Sequence, residues 1–458
     1  MRFFNNQKIK RGIVIPLILW LMIWAGYNTS PQKLDFSNFL NLFHGIRAFF
    51  PFLAAILALI IFLKQRSISL KIFETPLGFL AIYTLIGIFS SILLSANPIR
   101  ALYWASLYGS VLIVLWVISI HSKPLSSITW LINLNWLVVG FVMLFFLALY
   151  LAQSGVISSI VNFNFFGTRP YGELAGAEKT IIGMAITRPT GFGRYTGVVA
   201  IFALARTILT KERKKFLWYF LFLISFSILI FSQARTEILG FVFGFFLIFL
   251  LKSESRVSIF GWSFFTLFQL VLVGLFLFYI PFFYTPHLLE RIVIPEPGIV
   301  TLKPSIPAPS VPTHEPSLME KITPVSTLSG RTIGVWPQAW KLFLESPLIG
   351  WGFHADRIFL AGQHAHNAIL HALIQTGIIG TVPFLIAFVW AWVILFKLLK
   401  NPYLTEKPFL IEIAGVMAFF MIRSITESTG AFFGVDWLIF APLLAYIQNL
   451  NQKYLSNL

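Results

Sequence analysis

Residues 76–95 read PLGFLAIYTLIGIFSSILLS, a stretch of twenty positions without a charged side chain. A helix of about 20 apolar residues crosses the hydrocarbon core of a bilayer. Lipid offers the backbone no hydrogen-bond partners, so such runs form helices or closed barrels, and barrel strands are only about ten residues long. Similar runs recur and predict an all-α polytopic membrane protein with about twelve transmembrane helices, near 13–29, 46–63, 76–95, 100–120, 128–152, 192–210, 216–232, 235–251, 259–283, 374–398, 408–426 and 431–449.

The composition excludes an ordinary soluble domain. Of the 458 residues, 57% are hydrophobic and only 11% are charged, whereas soluble domains carry about 25% charged residues. The net charge of +17 could indicate nucleic-acid binding, but the lysines and arginines lie in the turns between apolar runs, so we attribute it to membrane topology and expect no nucleic-acid partner. The absence of cysteine excludes disulfides and thiol chemistry.

The distribution of positive charge predicts the orientation, because cytoplasmic loops of membrane proteins are enriched in lysine and arginine. We expect both termini in the cytoplasm, and we interpret residues 1–27 as an uncleaved first helix rather than a signal peptide. The cytoplasmic side then holds Lys8, Lys10, Arg11, Lys64, Arg66, Lys71, Lys211, Arg213, Lys214, Lys215, Lys252, Arg256, Lys397, Lys400 and Lys407.

Three regions follow from this topology. Residues 1–283 are predicted to hold helices 1–9, with an outer segment near 153–191. Residues 284–373 form a large extracytoplasmic loop, in which a proline-rich spacer (295–324) precedes an amphipathic helical part (329–373). Residues 374–458 are predicted to hold helices 10–12 and a cytoplasmic tail. The amphipathic part places Trp336, Trp340 and Phe343 on one face, which would suit a helix on the membrane surface.

Two arginines stand out at the predicted outer side. Arg235 lies in the turn SQARTEILGF, where it either snorkels beside Glu237 or presents a planar donor fork to a phosphorylated ligand. Arg331 opens SGRTIGVWPQAW, where Ser329 is a candidate helix cap. A helix start beside an arginine favours anions, although an ordinary solvated arginine fits the same pattern.

The stretch GQHAHNAILHALIQTGIIG, residues 362–380, places three histidines within ten positions. A metal site would draw on His354, His364, His366, His371 and Asp356, but none of the compact zinc spacings is present, and we expect no metal. A histidine at the entry of a helix can instead act as a general base, or it can merely cap the helix. The adjacent Asn367 could orient either the ring or a substrate.

One charged pair is expected inside a span. Arg423 and Glu427 in MIRSITESTG lie four residues apart and share a face if the helix continues through both. We therefore expect them to pair near the outer end of the eleventh span.

These pieces together resemble the O-antigen ligase and O-antigen polymerase family of bacterial envelope glycosyltransferases. The resemblance is concentrated in GRTIGVWPQAWKLFLESPLIGWGF, with its Pro-Leu-x-Gly-x-Gly stretch (347–352), and in AHNAILHALIQTGIIG. TRPTGFGRYTGVVA looks like the family's Arg-x-x-Gly segment, and SQARTEILGF looks like its arginine turn.

The resemblance implies transfer of a glycan from an undecaprenyl-pyrophosphate carrier at the outer face of the bacterial plasma membrane, without a metal or other cofactor and with inversion. Arg235 and Arg331 would then hold the pyrophosphate, and His366 would act on the acceptor hydroxyl. Further substrate-binding residues by the same resemblance are Arg188, Arg194, Asn367 and His364. The implied partners are the lipid-linked donor, a glycan or lipid A core acceptor, membrane lipids, and polysaccharide export and chain-length proteins.

Two alternatives stay open. Nothing in the sequence separates a polymerase, which extends a carrier-linked glycan, from a ligase, which delivers the glycan to lipid A core; we slightly favour the polymerase. The alternative from another class is a secondary transporter or a bicarbonate-uptake-associated protein. Such a protein would place ionisable groups near the bilayer midplane in repeated halves, whereas the informative residues here gather at one surface.

Overall fold

The computed structural model describes residues 12–26, 46–63, 75–120, 124–154, 180–181, 184–185, 189–209, 215–231, 234–252, 334–360, 362–401 and 403–455. The predicted span at 259–283 and the proline-rich spacer at 295–324 lie outside these residues, as does most of the segment at 153–191.

Helices dominate the described residues. In chain order they are α1 (Ile15–Gly26), α2 (Phe50–Leu63), α3 (Pro76–Leu93), α4 (Pro98–Ser119), α5 (Pro124–Ser154), α6 (Pro189–Leu209), α7 (Lys215–Phe231), α8 (Arg235–Lys252), α9 (Trp336–Glu345), α10 (Ala355–Phe359), α11 (Ala368–Leu399), α12 (Lys407–Thr426) and α13 (Val435–Leu455). Between α5 and α6, strands β1 (Thr180–Ile181) and β2 (Met184–Ala185) pair antiparallel, with Thr180 opposite Ala185.

Local sequence explains where several helices begin. Thr75 accepts a hydrogen bond from the Gly78 N–H at 3.2 Å, and Asn97 accepts one from the Arg100 N–H at 3.1 Å. Each cap is followed by a proline, whose fixed φ suits the first helical position and whose missing N–H costs nothing there. The third and fourth predicted spans therefore begin within two residues of the observed helices.

Six helices of the described part are long and apolar enough to cross a membrane, judged by length and composition. They are Pro76–Leu93, Pro98–Ser119, Pro124–Phe145, Gly191–Leu209, Ala368–Leu399 and Lys407–Thr426. Phe50–Leu63 and Lys215–Ile230 are apolar but shorter. The helical class is confirmed, and the larger number of about twelve spans stays a prediction.

The amphipathic segment packs differently from the expected surface helix. Among the described residues between Val335 and His366, the helices are α9 and the short α10. Ala339, Leu342 and Phe343 of α9 are buried, and α9 packs against α11. The indole N–H of Trp336 donates to the Ala365 carbonyl at 2.8 Å. The apolar face therefore lies against the protein.

Helix α11 begins six residues earlier than predicted and is interrupted at Gly377, which adopts φ 59° and ψ −164°. Residues 347–352, which we name the wedge, fill the interruption. The N–H groups of Trp351 and Gly352 donate to the carbonyls of Ile374 and Gln375 at 2.8 and 2.9 Å. The N–H groups of Ile378 and Ile379 donate to the carbonyls of Pro347 and Leu348, at 2.8 and 3.0 Å. The wedge thus satisfies backbone groups that the broken helix leaves unpaired.

Glycine is required on both sides of this contact. A Cβ atom on Gly377 would lie 2.2 Å from the backbone C and O atoms of Leu348. A Cβ atom on Gly350 would lie 2.5 Å from the Thr376 nitrogen, and both glycines have positive φ. The two glycine-containing motifs of the sequence, PLIGWG and TGIIG, are therefore two halves of one backbone-to-backbone joint.

Candidate active site

One end of the helix bundle collects the polar residues that the sequence singled out. We name it the histidine end, and it comprises the starts of α6, α8, α11 and α13 and the end of α12. Hydrogen bonds join these elements: the Asn367 amide donates to the Ile425 carbonyl at 2.9 Å, and the Thr426 hydroxyl donates to the Thr236 hydroxyl at 3.0 Å.

The Ala-His-Asn sequence has a fixed backbone. The N–H of buried Ala365 donates to Asp356 Oδ2 at 3.1 Å, and the Ala365 carbonyl accepts the Trp336 bond. Asn367 has extended dihedrals and caps α11 by accepting from the Leu370 N–H at 2.9 Å. Between these anchors His366 adopts φ 48°, a left-handed conformation that is uncommon for residues other than glycine. The bonds of Ala365 and Asn367 therefore hold this uncommon backbone conformation, which fixes the position from which the His366 side chain projects.

The predicted pairing of Arg423 with Glu427 is wrong. Helix α12 ends at Thr426, and Glu427 adopts φ −141° and ψ 154°, so the helical four-residue spacing does not reach it. The Glu427 side chain lies beside His366 instead, with its Oε2 atom 3.1 Å from Nδ1 of the ring. Both side chains are partly exposed, at 25% for His366 and 21% for Glu427. Sequence reasoning missed Glu427 as a site residue because it assumed a longer helix.

Arg423 belongs to a buried ionic network. Its guanidinium contacts Glu237 of α8, and its Nη2 donates to Asp436 Oδ2 of α13 at 3.3 Å. Arg194 of α6 donates to the other Asp436 oxygen at 3.0 Å, and Thr429 donates to Asp436 Oδ2 at 2.9 Å. The network therefore pairs two arginines with two carboxylates, and it links four helices in a region shielded from water.

The other predicted arginines are placed as follows. Arg235 is the first residue of α8 and is exposed, next to the Thr236–Thr426 bond. Arg194 lies at the histidine end with its side chain 18% exposed, and Asp436 already occupies one of its donors. Arg188 and Arg331 lie outside the described residues.

A second cluster surrounds Asp356, which is fully buried. His364 Nδ1 lies 3.1 Å, and His371 Nδ1 2.9 Å, from its Oδ2 atom. Ligand atoms of these three residues lie within 4.8 Å of one another, a group of described residues that could hold a metal ion. However, the Arg357 Nε–H donates to His364 Nε2 at 3.0 Å, so the His364 proton is on Nδ1 and points to Asp356. That ring has no lone pair left for a metal, and hydrogen bonds account for its position.

Burial and charge set the protonation of this cluster. Burial lowers the pKa of His364 to about 4, although Asp356 opposes the shift. Burial likewise lowers the pKa of His354, whose ring stacks on Trp104 with centroids 4.5 Å apart, to about 3. Burial alone would raise the pKa of Asp356, but His371 and His364 hold it well below its usual range. Near neutral pH, Asp356 is therefore ionised, and His354 and His364 are neutral.

The fold and the candidate site together indicate the class of protein: a multi-pass helical membrane protein with a histidine and a carboxylate at one end of its bundle. A comparison with known proteins shows which family part of the chain is similar to. Residues 220–385, about a third of the chain, match the model of the O-antigen ligase family. The match includes Arg235, Arg331, the wedge and His366, and it confirms the resemblance to the O-antigen ligase and polymerase family. No curated protein matches the chain.

Proposed function

We propose that this O-antigen ligase or polymerase-type glycosyltransferase moves a glycan from undecaprenyl pyrophosphate to an acceptor hydroxyl, with His366 as the general base. The observation that carries the proposal is the position of His366. Its ring is partly exposed, it is fixed by its backbone, and its Nδ1 faces a carboxylate. The family match supports glycan transfer and does not support the transporter alternative.

We further propose that the histidine end faces the outside of the plasma membrane and that both termini are cytoplasmic. Lysines gather at the opposite end of the bundle, as expected for a cytoplasmic side. The described lysines there are Lys215, Lys252, Lys397, Lys400, Lys407 and Lys453. Arg194 and Arg423, which lie at the histidine end, are paired with carboxylates.

The chemistry needs few protein groups because polyprenyl pyrophosphate is already a good leaving group. The acceptor hydroxyl oxygen forms a bond to the anomeric carbon as the bond from that carbon to the pyrophosphate oxygen breaks, which inverts the centre. His366 removes the hydroxyl proton, and the released pyrophosphate stays on its polyprenyl carrier. Arg235, and by family resemblance Arg331, would stabilise the charge that develops on the leaving pyrophosphate.

Arg188, Arg194, His364 and Asn367 remain candidates for substrate binding by resemblance. The contacts of three of them favour a supporting function. Asn367 caps α11 and bonds Ile425, His364 lies between Asp356 and Arg357, and Arg194 pairs with Asp436.

The proposal is tested by reconstituting the protein in nanodiscs with undecaprenyl-pyrophosphate-linked oligosaccharide and resolving the products by size. We expect His366→Ala to lower the rate by about a hundredfold or more, the contribution of a general base. Arg331→Ala should also abolish transfer, whereas Glu345→Gln, at an exposed carboxylate of α9, is the matched control. A ladder of longer carrier-linked glycans indicates a polymerase, and transfer only with added lipid A core indicates a ligase. Full activity of His366→Ala would contradict the proposal.

A further inference from the structure

Hydrogen bonds hold the chain at Glu427 and just before it, although its side chain reaches the partly exposed site. Its backbone N–H donates to the Arg423 carbonyl at 2.7 Å, and Thr426 before it bonds Thr236. Asn367, the neighbour of His366, donates to Ile425. The loops that carry His366 and Glu427 are therefore fastened to each other through the backbone, independently of the contact between the two side chains.

We propose that Glu427 is a positioning residue for His366, whose imidazole it holds in the tautomer and orientation that a general base requires. This inference rests on the function proposed above. A carboxylate oxygen can only accept, so the ring proton lies on Nδ1 and the lone pair lies on Nε2. Among the described residues, Nε2 of His366 has no hydrogen-bond partner, so it is available to the acceptor hydroxyl.

The carboxylate also acts during the reaction. When Nε2 takes the hydroxyl proton, the ring becomes an imidazolium, and the negative charge 3.1 Å from Nδ1 stabilises it. The imidazolium later returns its proton to water. The same division of labour between a base and an orienting carboxylate operates in the serine-protease triad.

Other charged groups around the pair come from several elements. The His364 ring centroid lies 6.0 Å from that of His366. Arg194 of α6 and Glu237 of α8 interact electrostatically with Glu427, and both belong to the network of Arg423 and Asp436. These side chains are kept in a Glu427 variant but lose their interaction with Glu427, so the variant reports the removal of the Glu427 charge together with its effect on these neighbours.

The experiment measures kcat, KM for the lipid-linked donor, and the pH dependence of kcat/KM in nanodiscs. Glu427→Gln keeps an acceptor without the charge, and we expect kcat to fall at least about tenfold while the donor KM stays within about twofold. The acidic limb of the pH profile should move to lower pH, because the imidazolium loses its neighbouring anion. Glu427→Asp should return the limb to the wild-type pH and recover part of kcat. Glu345→Gln is again the matched control.

The outcomes separate this inference from the proposed function. If His366→Ala is inactive but Glu427→Gln has the rate and pH profile of Glu345→Gln, Glu427 is not a positioning residue and the general base stands. If His366→Ala is active, the proposed function fails first. If Glu427→Gln does not fold, Glu427→Asp and Glu427→Asn are compared instead. Wild-type kcat in both folded variants would equally overturn the inference.

Discussion

Two histidine–carboxylate pairs lie side by side in this protein, and they differ mainly in their surroundings. Nδ1 of His364 lies 3.1 Å from Oδ2 of Asp356, and Nδ1 of His366 lies 3.1 Å from Oε2 of Glu427. Asp356 is fully buried and the His364 side chain is 17% exposed, whereas the side chains of His366 and Glu427 are 25% and 21% exposed. We call these the buried pair and the exposed pair. Both nitrogens of His364 are bonded, to Asp356 and Arg357, but His366 is bonded only through Nδ1 among the described residues. Hydrogen bonds within the buried pair and to its neighbours account for the position of the loop, whereas Nε2 of His366 has no hydrogen-bond partner among the described residues.

The largest effect on folding should come from the buried pair. Asp356→Ala removes the acceptor shared by Ala365 and His364 and leaves His371 buried without its carboxylate. We expect a loss of about 3 kcal/mol or more in the free energy of unfolding, because each buried donor left without its acceptor costs about 1–3 kcal/mol. Thermal unfolding in detergent measures the effect, with Glu345→Ala as the control. If Asp356→Ala were as stable as the wild type, the buried pair would not stabilise the fold more than the exposed pair does.

The pH dependence of stability should follow the buried histidines. The pKa of His364 is about 4 in the folded protein, below the value of about 6.5 expected in the unfolded chain. As the pH falls from about 6.5 to about 4, the unfolded state binds a proton that the folded state does not, so stability present above pH 6.5 is progressively lost. Hydrogen exchange of residues 350–371 across this range measures it. His364→Gln should flatten the dependence, and an unchanged slope would contradict this assignment.

A smaller effect is expected from the bond that holds the Ala365 carbonyl. Trp336→Phe keeps the aromatic packing but removes the indole N–H that donates at 2.8 Å. We expect a loss of about 1 kcal/mol in stability and a several-fold decrease in kcat, because the backbone before His366 is less constrained. Trp340→Phe, one turn further along α9, is the matched control. Equal behaviour of the two variants would show that the bond does not position the loop.

The smallest effect on stability should come from the exposed pair. Glu427→Ala should change the free energy of unfolding by less than about 1 kcal/mol, because partly exposed ion pairs contribute little. The same variant should lose most of its turnover. A melting temperature that falls as far as that of Asp356→Ala would make Glu427 a structural residue and would remove the difference between the pairs.

Much of the fold could be predicted from local sequence, because apolar length and capping residues act locally. Pro76 and Pro98 with their caps locate α3 and α4 closely. The interruption of α11 could not be predicted, because the sequence TGIIG is compatible with a continuous apolar helix. The break depends on the wedge, whose distant residues bond the backbone of α11 at this point. The same limit applies to ionic partners: Asp436 lies 242 residues from Arg194, and no spacing rule connects them.

The site could be predicted in part. The Ala-His-Asn sequence located His366, but choosing among its histidines requires burial, which depends on Asp356 and Arg357 folding back onto the loop. Glu427 was assigned to Arg423 because a helical spacing was extended one residue beyond the end of α12. Helix ends are where periodicity stops being informative, and the site is built almost entirely from helix ends.

The wedge also constrains the order in which the protein can be assembled. Residues 347–352 leave the ribosome before Ile374–Ile379, yet their backbone groups bond to that later segment. A nascent chain that ended at Leu373 would contain residues 362–367 but not the backbone groups of α11 that bond to the wedge. The wedge can therefore make these backbone bonds only after residues 374–379 of α11 have been synthesised. The contact between the wedge and α11 is therefore a late one in the synthesis of the chain.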